Sequence, residues 1–146
     1  MRQFFVCKGF EHMNVTLPKR STKFSAGYDF KSLENYILKP GEAHIFKTGV
    51  KAKMNEDDVL LIFIRSSLAI KYGLSLSNSV AVIDADYFSN PANDGHIMIA
   101  IRNNSLTPVE IKVSDKIAQG IFVKYERTED DSCLQRRTGG TGSTGR

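Results

Sequence analysis

The sequence predicts an all-β fold, a sandwich or barrel of many short strands with one short helix. Ile45, Val50, Ala52 and Met54 alternate with polar residues, several of them lysines, and Val109, Ile111 and Val113 do the same, which is the period of a half-buried strand. Val59 to Ile64, Ile97 to Ile101 and Ile117 to Val123 are apolar runs of strand length, as expected of more deeply buried strands. Turn residues punctuate these runs at Lys39-Pro40-Gly41-Glu42, Asn55-Glu56-Asp57-Asp58 and Asn103-Asn104-Ser105.

Ser66 to Tyr72 alone has a helical pattern, and Gly73 is placed to end it. With 146 residues and 41% apolar content, the chain fits one domain able to build its own core. Residues 1–125 are expected to form that β-domain. Glu126 to Gln135, charged and poorly periodic, reads as a tether, and residues 136–146 as a glycine-rich arm. No internal repeat is visible.

The formal charge is +4, but the lysines are scattered and often alternate with apolar residues. That pattern suits a solvated strand face better than a specific nucleic-acid surface. Cys7 and Cys133 are far apart, which supports neither a disulfide framework nor a zinc site and makes the cytoplasm the default location. His12, His44 and His96 are isolated and read as surface or packing residues. Phe4 to Cys7 is too short for a signal peptide, and Val59 to Ile64 too short to span a bilayer.

Five segments carry candidate chemistry. Asn78-Ser79-Val80-Ala81-Val82-Ile83-Asp84-Ala85-Asp86-Tyr87 sets a carboxylate at the end of a strand that reads as buried, beside an aromatic ring. An acid in an apolar wall can serve as a general base, and a ring offers a flat surface to a sugar or base. Ala26-Gly27-Tyr28-Asp29 and Arg65-Ser66-Ser67, at the helix start, supply small hydroxyls and a cation suited to phosphate, although Ser66-Ser67 can equally be a helix cap. Ser114 to Gln119 sets a polar turn against an apolar strand bearing one amide side chain. Arg136 to Arg146 combines arginines, glycines and hydroxyls with no apolar anchor, so it is either a linker or an arm that folds on a phosphate ligand.

Taken together and in this order, the segments resemble the motifs of the trimeric dUTPase family, from Ala26 to Gly145. The best matches are Val82 to Tyr87, Asp115 to Gln119 and Gly139 to Gly145. The resemblance implies a jelly-roll-like fold, a homotrimer with shared active sites, an arm that closes over a neighbour's site, and hydrolysis of dUTP to dUMP and pyrophosphate with Mg²⁺ held by the triphosphate. By position in the motifs, Asp84 is the base that activates water, and Tyr87 lies against the deoxyribose. Asn78 and the backbone through Val82 and Ile83 read uracil. Ser66, Ser67 and Gln119, with Arg65 close by, contact the α- and β-phosphates, and Asp29 holds magnesium through water. Arg136, which keeps the commoner spacing to Gly139-Gly140, takes the γ-phosphate with Gly140, Gly142, Ser143 and Thr144, and the adjacent Arg137 is its alternative.

This chain departs from the family pattern at several positions. Thr141 stands where phenylalanine usually stacks over uracil, and Ala81 where the uracil hairpin usually has glycine. Phe88-Ser89 replaces Arg-Gly after the tyrosine, and Asn90-Pro91-Ala92-Asn93-Asp94 lengthens the turn. The related dCTP deaminases place a glutamate in the strand after the hairpin, but Ile97 to Ile101 has no carboxylate. Some phage dUTPases also bind repressor proteins, and a regulatory protein partner is compatible with this sequence.

Overall fold

The computed structural model describes residues 1–145; Arg146, the last residue of the expected arm, lies outside them. Twelve strands, one α-helix and one 3-10 helix follow one another among the described residues. The strands are β1 (Gln3–Val6), β2 (Lys19–Arg20), β3 (Tyr28–Lys31), β4 (Tyr36–Leu38), β5 (Ala43–Lys47), β6 (Val50–Lys53) and β7 (Asp58–Ile64). After α1 (Ser66–Tyr72) come β8 (Leu74–Leu76), β9 (Ala81–Asp84), the 3-10 helix Ala85–Tyr87, β10 (Met98–Asn103), β11 (Val109–Ile111) and β12 (Lys116–Lys124).

All pairings are antiparallel. The largest sheet runs β2-β3-β12-β7-β9; smaller ones join β5-β10-β8, β1-β6 and β11-β4. Phe30, Leu60, Ile62 and Ile117 from the large sheet meet Phe46, Ile99 and Ile101 from the three-stranded sheet in one core. Gly120 permits this packing, since a Cβ there would lie 2.9–3.0 Å from Phe30, Ile62 and Leu60.

The expected helix has the observed bounds, and Gly73 ends it in the left-handed region at φ 68°, donating its N–H to the carbonyls of Ala69 and Leu68. Two strand readings are corrected. On β5 the buried residue is Phe46, whereas Ile45 is 58% exposed, because the register with β10 puts Phe46 opposite buried Ile99. The strand leading to Asp84 is not a buried one: Val82 is 59% exposed, since β9 is the edge of the five-stranded sheet. Lys51 also departs from the picture of solvated lysines. It is buried, its ammonium 2.7 Å from Asp94 and 3.1 Å from the Ser89 hydroxyl.

Candidate active site

One half of the site lies where β3, β12 and the start of α1 meet. Across β12, Gln119 pairs with Asp29 on β3 and with Phe63 on β7, so all three share the outer face of the large sheet. The β7 strand leads directly through Arg65 into α1. Arg65 is the helix N-cap and offers no side-chain cap, so Ser66 and Ser67 are exposed first-turn residues rather than caps. With Ser21, Ser25, Gly27, Asp29, Arg65 and Gln119 they line an open cleft of about 400 Å³. Gly27 keeps it open, because a Cβ at that position would fall 2.5 Å from Gln119 Oε1.

Asp29 organises this cleft. Its carboxylate accepts a 2.6 Å hydrogen bond from the Ser21 hydroxyl, pairs with Arg65, and lies 3.2 Å from the Lys116 ammonium. Burial alone would push its carboxyl pKa up, but Ser21, Arg65 and Lys116 together hold it below the ordinary value. Two cations around one carboxylate leave the cleft a positive excess suited to a polyanion.

The other half is the corner at the end of β9. Asn78 and Ser79 turn the chain between β8 and β9, Ser79 taking φ 61°. Asp84 ends β9 with its side chain 49% exposed, so the expected apolar wall around the acid is absent in the single chain. Tyr87 closes the 3-10 helix and is buried, its hydroxyl donating to the His96 carbonyl at 2.9 Å. His96 is itself fixed by the backbone N–H groups of Gly49 and Thr48, which donate to Nε2 at 2.9 and 3.2 Å. Burial, with Lys47 nearby, lowers its pKa and keeps the ring neutral.

The arm reaches this corner within its own chain. Arg137 pairs with Asp84 at 2.7 Å and with Asp86 at 3.3 Å, and its guanidinium lies 5.6 Å above the Tyr87 ring. Its Nη1 also meets the Ser143 hydroxyl at 3.3 Å and the Gly140 carbonyl at 3.4 Å. Arg136, Gly142 and Thr144 are exposed. Phe88, the aromatic residue after Tyr87, packs on Phe5 at 5.6 Å and under Lys51 at 5.0 Å.

Cleft and corner do not meet in one chain. Asp84 pairs with Val59, four residues along β7 from Phe63, the partner of Gln119. Strand spacing and rise put Asp84 and Gln119 roughly 16 Å apart. Between them, on the same outer face, lie Leu61, Ile121, Val123 and the exposed Val82, an apolar strip. Ser21 and Ser25 line the cleft as well, with the hydroxyl-rich stretch just before Ala26 as their only signal in the sequence, while Lys116, from the Ser114 to Gln119 segment, reaches Asp29 beside it. Among the described residues, no three His, Cys, Asp or Glu side chains converge as a metal cage. No helix among them is long and apolar enough to cross a membrane.

The dUTPase family model matches residues 13–145. The deoxyuridine 5'-triphosphate nucleotidohydrolase of Lactococcus lactis is 41% identical, over 99% of this chain and 98% of that protein. A dUTPase crystal structure from Streptococcus mutans superposes with a TM-score of 0.80 at 39% identity, over 86% of this chain and 98% of the other. The dUTPase of phage phi11 of S. aureus, described with a structural Mg(II) ion, shares the fold at a TM-score of 0.74 and 24% identity, over 92% of this chain and 97% of the other. The chain therefore belongs to the dUTPase family, a jelly-roll-like class of β-proteins.

Proposed function

We propose that this chain is a dUTP diphosphatase that hydrolyses dUTP to dUMP and pyrophosphate, with the triphosphate in the Asp29 cleft and the nucleoside at the β9 corner. The observation carrying this reading is the cleft itself, where Arg65 and Lys116 flank Asp29 while Ser66, Ser67 and Gln119 offer hydrogen bonds beside them. Such a set fits a chain of phosphates.

Asp84 is the proposed general base, removing a proton from the water that attacks the α-phosphorus. Tyr87 packs against the deoxyribose and leaves no room for a 2′-hydroxyl. Asn78 and the backbone to Ile83 read the uracil edge. Arg137 replaces Arg136 as the favoured partner of the γ-phosphate, since its guanidinium already gathers Ser143 and Gly140 of the arm, whereas Arg136 is exposed. In the free chain the Arg137 charge is balanced by Asp84 and Asp86; a triphosphate offers a stronger anion. Residues 126–135 act as the tether that lets the arm travel.

Mg²⁺ is proposed to arrive on the triphosphate, because the described residues contain no carboxylate cage and Asp29 is the one acid lining the cleft. Asp29, held unprotonated, suits a contact through water. Bound there, the ion would neutralise charge building on the leaving pyrophosphate.

The roughly 16 Å gap between Gln119 and Asp84, set by strand spacing, is too long for one nucleotide's α-phosphate to touch both in one chain. The apolar strip lying between them is a surface for another copy to cover. Both observations support a homotrimer in which one subunit's cleft meets another's β9 corner. Incubation with dUTP, dCTP or UTP and Mg²⁺, with pyrophosphate and ammonia measured separately, tests the reaction. Pyrophosphate and dUMP from dUTP, without ammonia, are expected; ammonia from dCTP would overturn the reading.

A further inference from the structure

The turn that follows Tyr87 is tied to that residue by a circuit of hydrogen bonds. Asn90 is buried, and its Nδ2 donates to the Tyr87 carbonyl and to Asn93 Oδ1, both at 2.8 Å. Its Oδ1 accepts the backbone N–H groups of Ala92 and Asn93 at 3.1 and 3.2 Å. Asn93 completes the circuit: Nδ2 donates to the Tyr87 hydroxyl at 2.8 Å, while Oδ1 also accepts the Gly95 N–H at 3.1 Å. Gly95, at φ 82°, fits because a Cβ there would lie 2.7 Å from the Tyr87 carbonyl oxygen.

The turn is in turn bolted to the β1–β6 sheet. Asp94 holds Lys51 at 2.7 Å and accepts the Lys8 N–H at 2.9 Å. Asn93 has a second neighbour: a Cβ built on Gly140 of the arm would lie 3.0 Å from its Nδ2, so the arm's backbone rests against the same amide that holds the tyrosine.

We propose that Asn93, held by Asn90, is a positioning residue that sets discrimination between deoxyribose and ribose by fixing Tyr87, and that it seats the arm at Gly140. The tyrosine hydroxyl is clamped between one donor, Asn93, and one acceptor, the His96 carbonyl, so the far end of the ring is held at one position. A ring left with only one of these bonds can swing and admit the extra hydroxyl. The inference rests on the proposed place of Tyr87 against the sugar.

The test is the ratio of kcat/KM for dUTP to that for UTP. Asn93→Ala is expected to lower the ratio about tenfold, the effect of one well-placed hydrogen bond. Asn93→Asp keeps the volume and the acceptor facing Asn90 and Gly95 but loses the donor to Tyr87, so it should lower the ratio in the same direction even if the alanine variant folds poorly. Adding Asn93→Asp to Tyr87→Phe should change the ratio no further, since the shared partner is gone. An equal loss on both substrates, with the ratio unchanged, would overturn the inference and leave Asn93 a mere loop residue. If Tyr87→Ala itself leaves the ratio unchanged, the placement of the sugar is at fault instead.

Discussion

The Asp29 cleft and the β9 corner are built on opposite principles. The cleft sits on interior strands of the five-stranded sheet, where register alone aligns Gln119 with Asp29, and it is held by ion pairs that exist before any ligand arrives. The corner hangs on an edge strand and takes its order from a hydrogen-bond circuit through the Asn90 and Asn93 side chains and the His96 carbonyl. The difference teaches a division of labour. On the proposed function, the triphosphate meets a fixed field of charge, whereas the sugar meets a ring whose setting a loop can tune.

The largest expected effect falls on the corner. Asp84→Asn is isosteric and removes only basicity, so turnover should fall by roughly 10²–10⁴ while dUTP affinity stays near that of the parent. Wild-type turnover would move the base elsewhere, with Asp86 the next residue to test. Deleting residues 136–146 removes Arg137 and the arm's hydroxyls, and a loss of roughly 10- to 100-fold in kcat/KM is expected with the melting temperature unchanged. A fully active truncation would confine binding to the cleft.

Thr141→Phe probes the same corner in the opposite direction. A restored stack contributes about 1–3 kcal/mol, so dUTP binding should tighten roughly five- to hundredfold. Unchanged affinity by calorimetry would mean that another ring covers the uracil, and Phe88 is poorly placed for that because it is committed to Phe5 and Lys51.

Acid should separate the two regions more gently. The pKa of His96 is lowered by burial, so the unfolded chain takes up its proton first. The stability that neutral His96 provides is complete above its unfolded pKa of about 6.5 and is lost as pH falls through that value towards the lower folded one. Asp29 is also lowered, but from a carboxylate value, so its contribution persists until pH falls below about 4. Melting temperatures should therefore begin to drop below about pH 6.5, and His96→Gln should flatten the curve there while leaving the steeper acid limb.

Much of this was legible in the sequence where one local rule decides the outcome. Ser66 to Tyr72 with Gly73 behind it reads as a short helix with a left-handed end and the apolar run of β7 as a strand, and the structure has both. Ile45 and Phe46 show where such rules stop, because adjacent apolar residues leave the buried face to register with another strand. The strand before Asp84 defeats sequence reading for a related reason: apolar residues exposed on an edge strand look the same in sequence as residues facing the core. Asn93 left no more trace than a turn composition, since its partners Tyr87 and Asn90 become a circuit only when the loop closes.

The claim that cleft and corner come from different copies can be measured by complementation. One variant, Asp84→Asn, keeps an intact cleft; another, Arg65→Ala with Ser67→Ala, keeps an intact corner. Each alone should be nearly inactive. Unfolded together in equal amounts and refolded, they should recover activity at about a quarter of the sites, the fraction in which random ring assembly sets an intact cleft against an intact corner. If the mixed oligomers form, as followed by a tag on one variant, and dUTP turnover stays at the level of the separate variants, each site is built within one chain and the account is wrong.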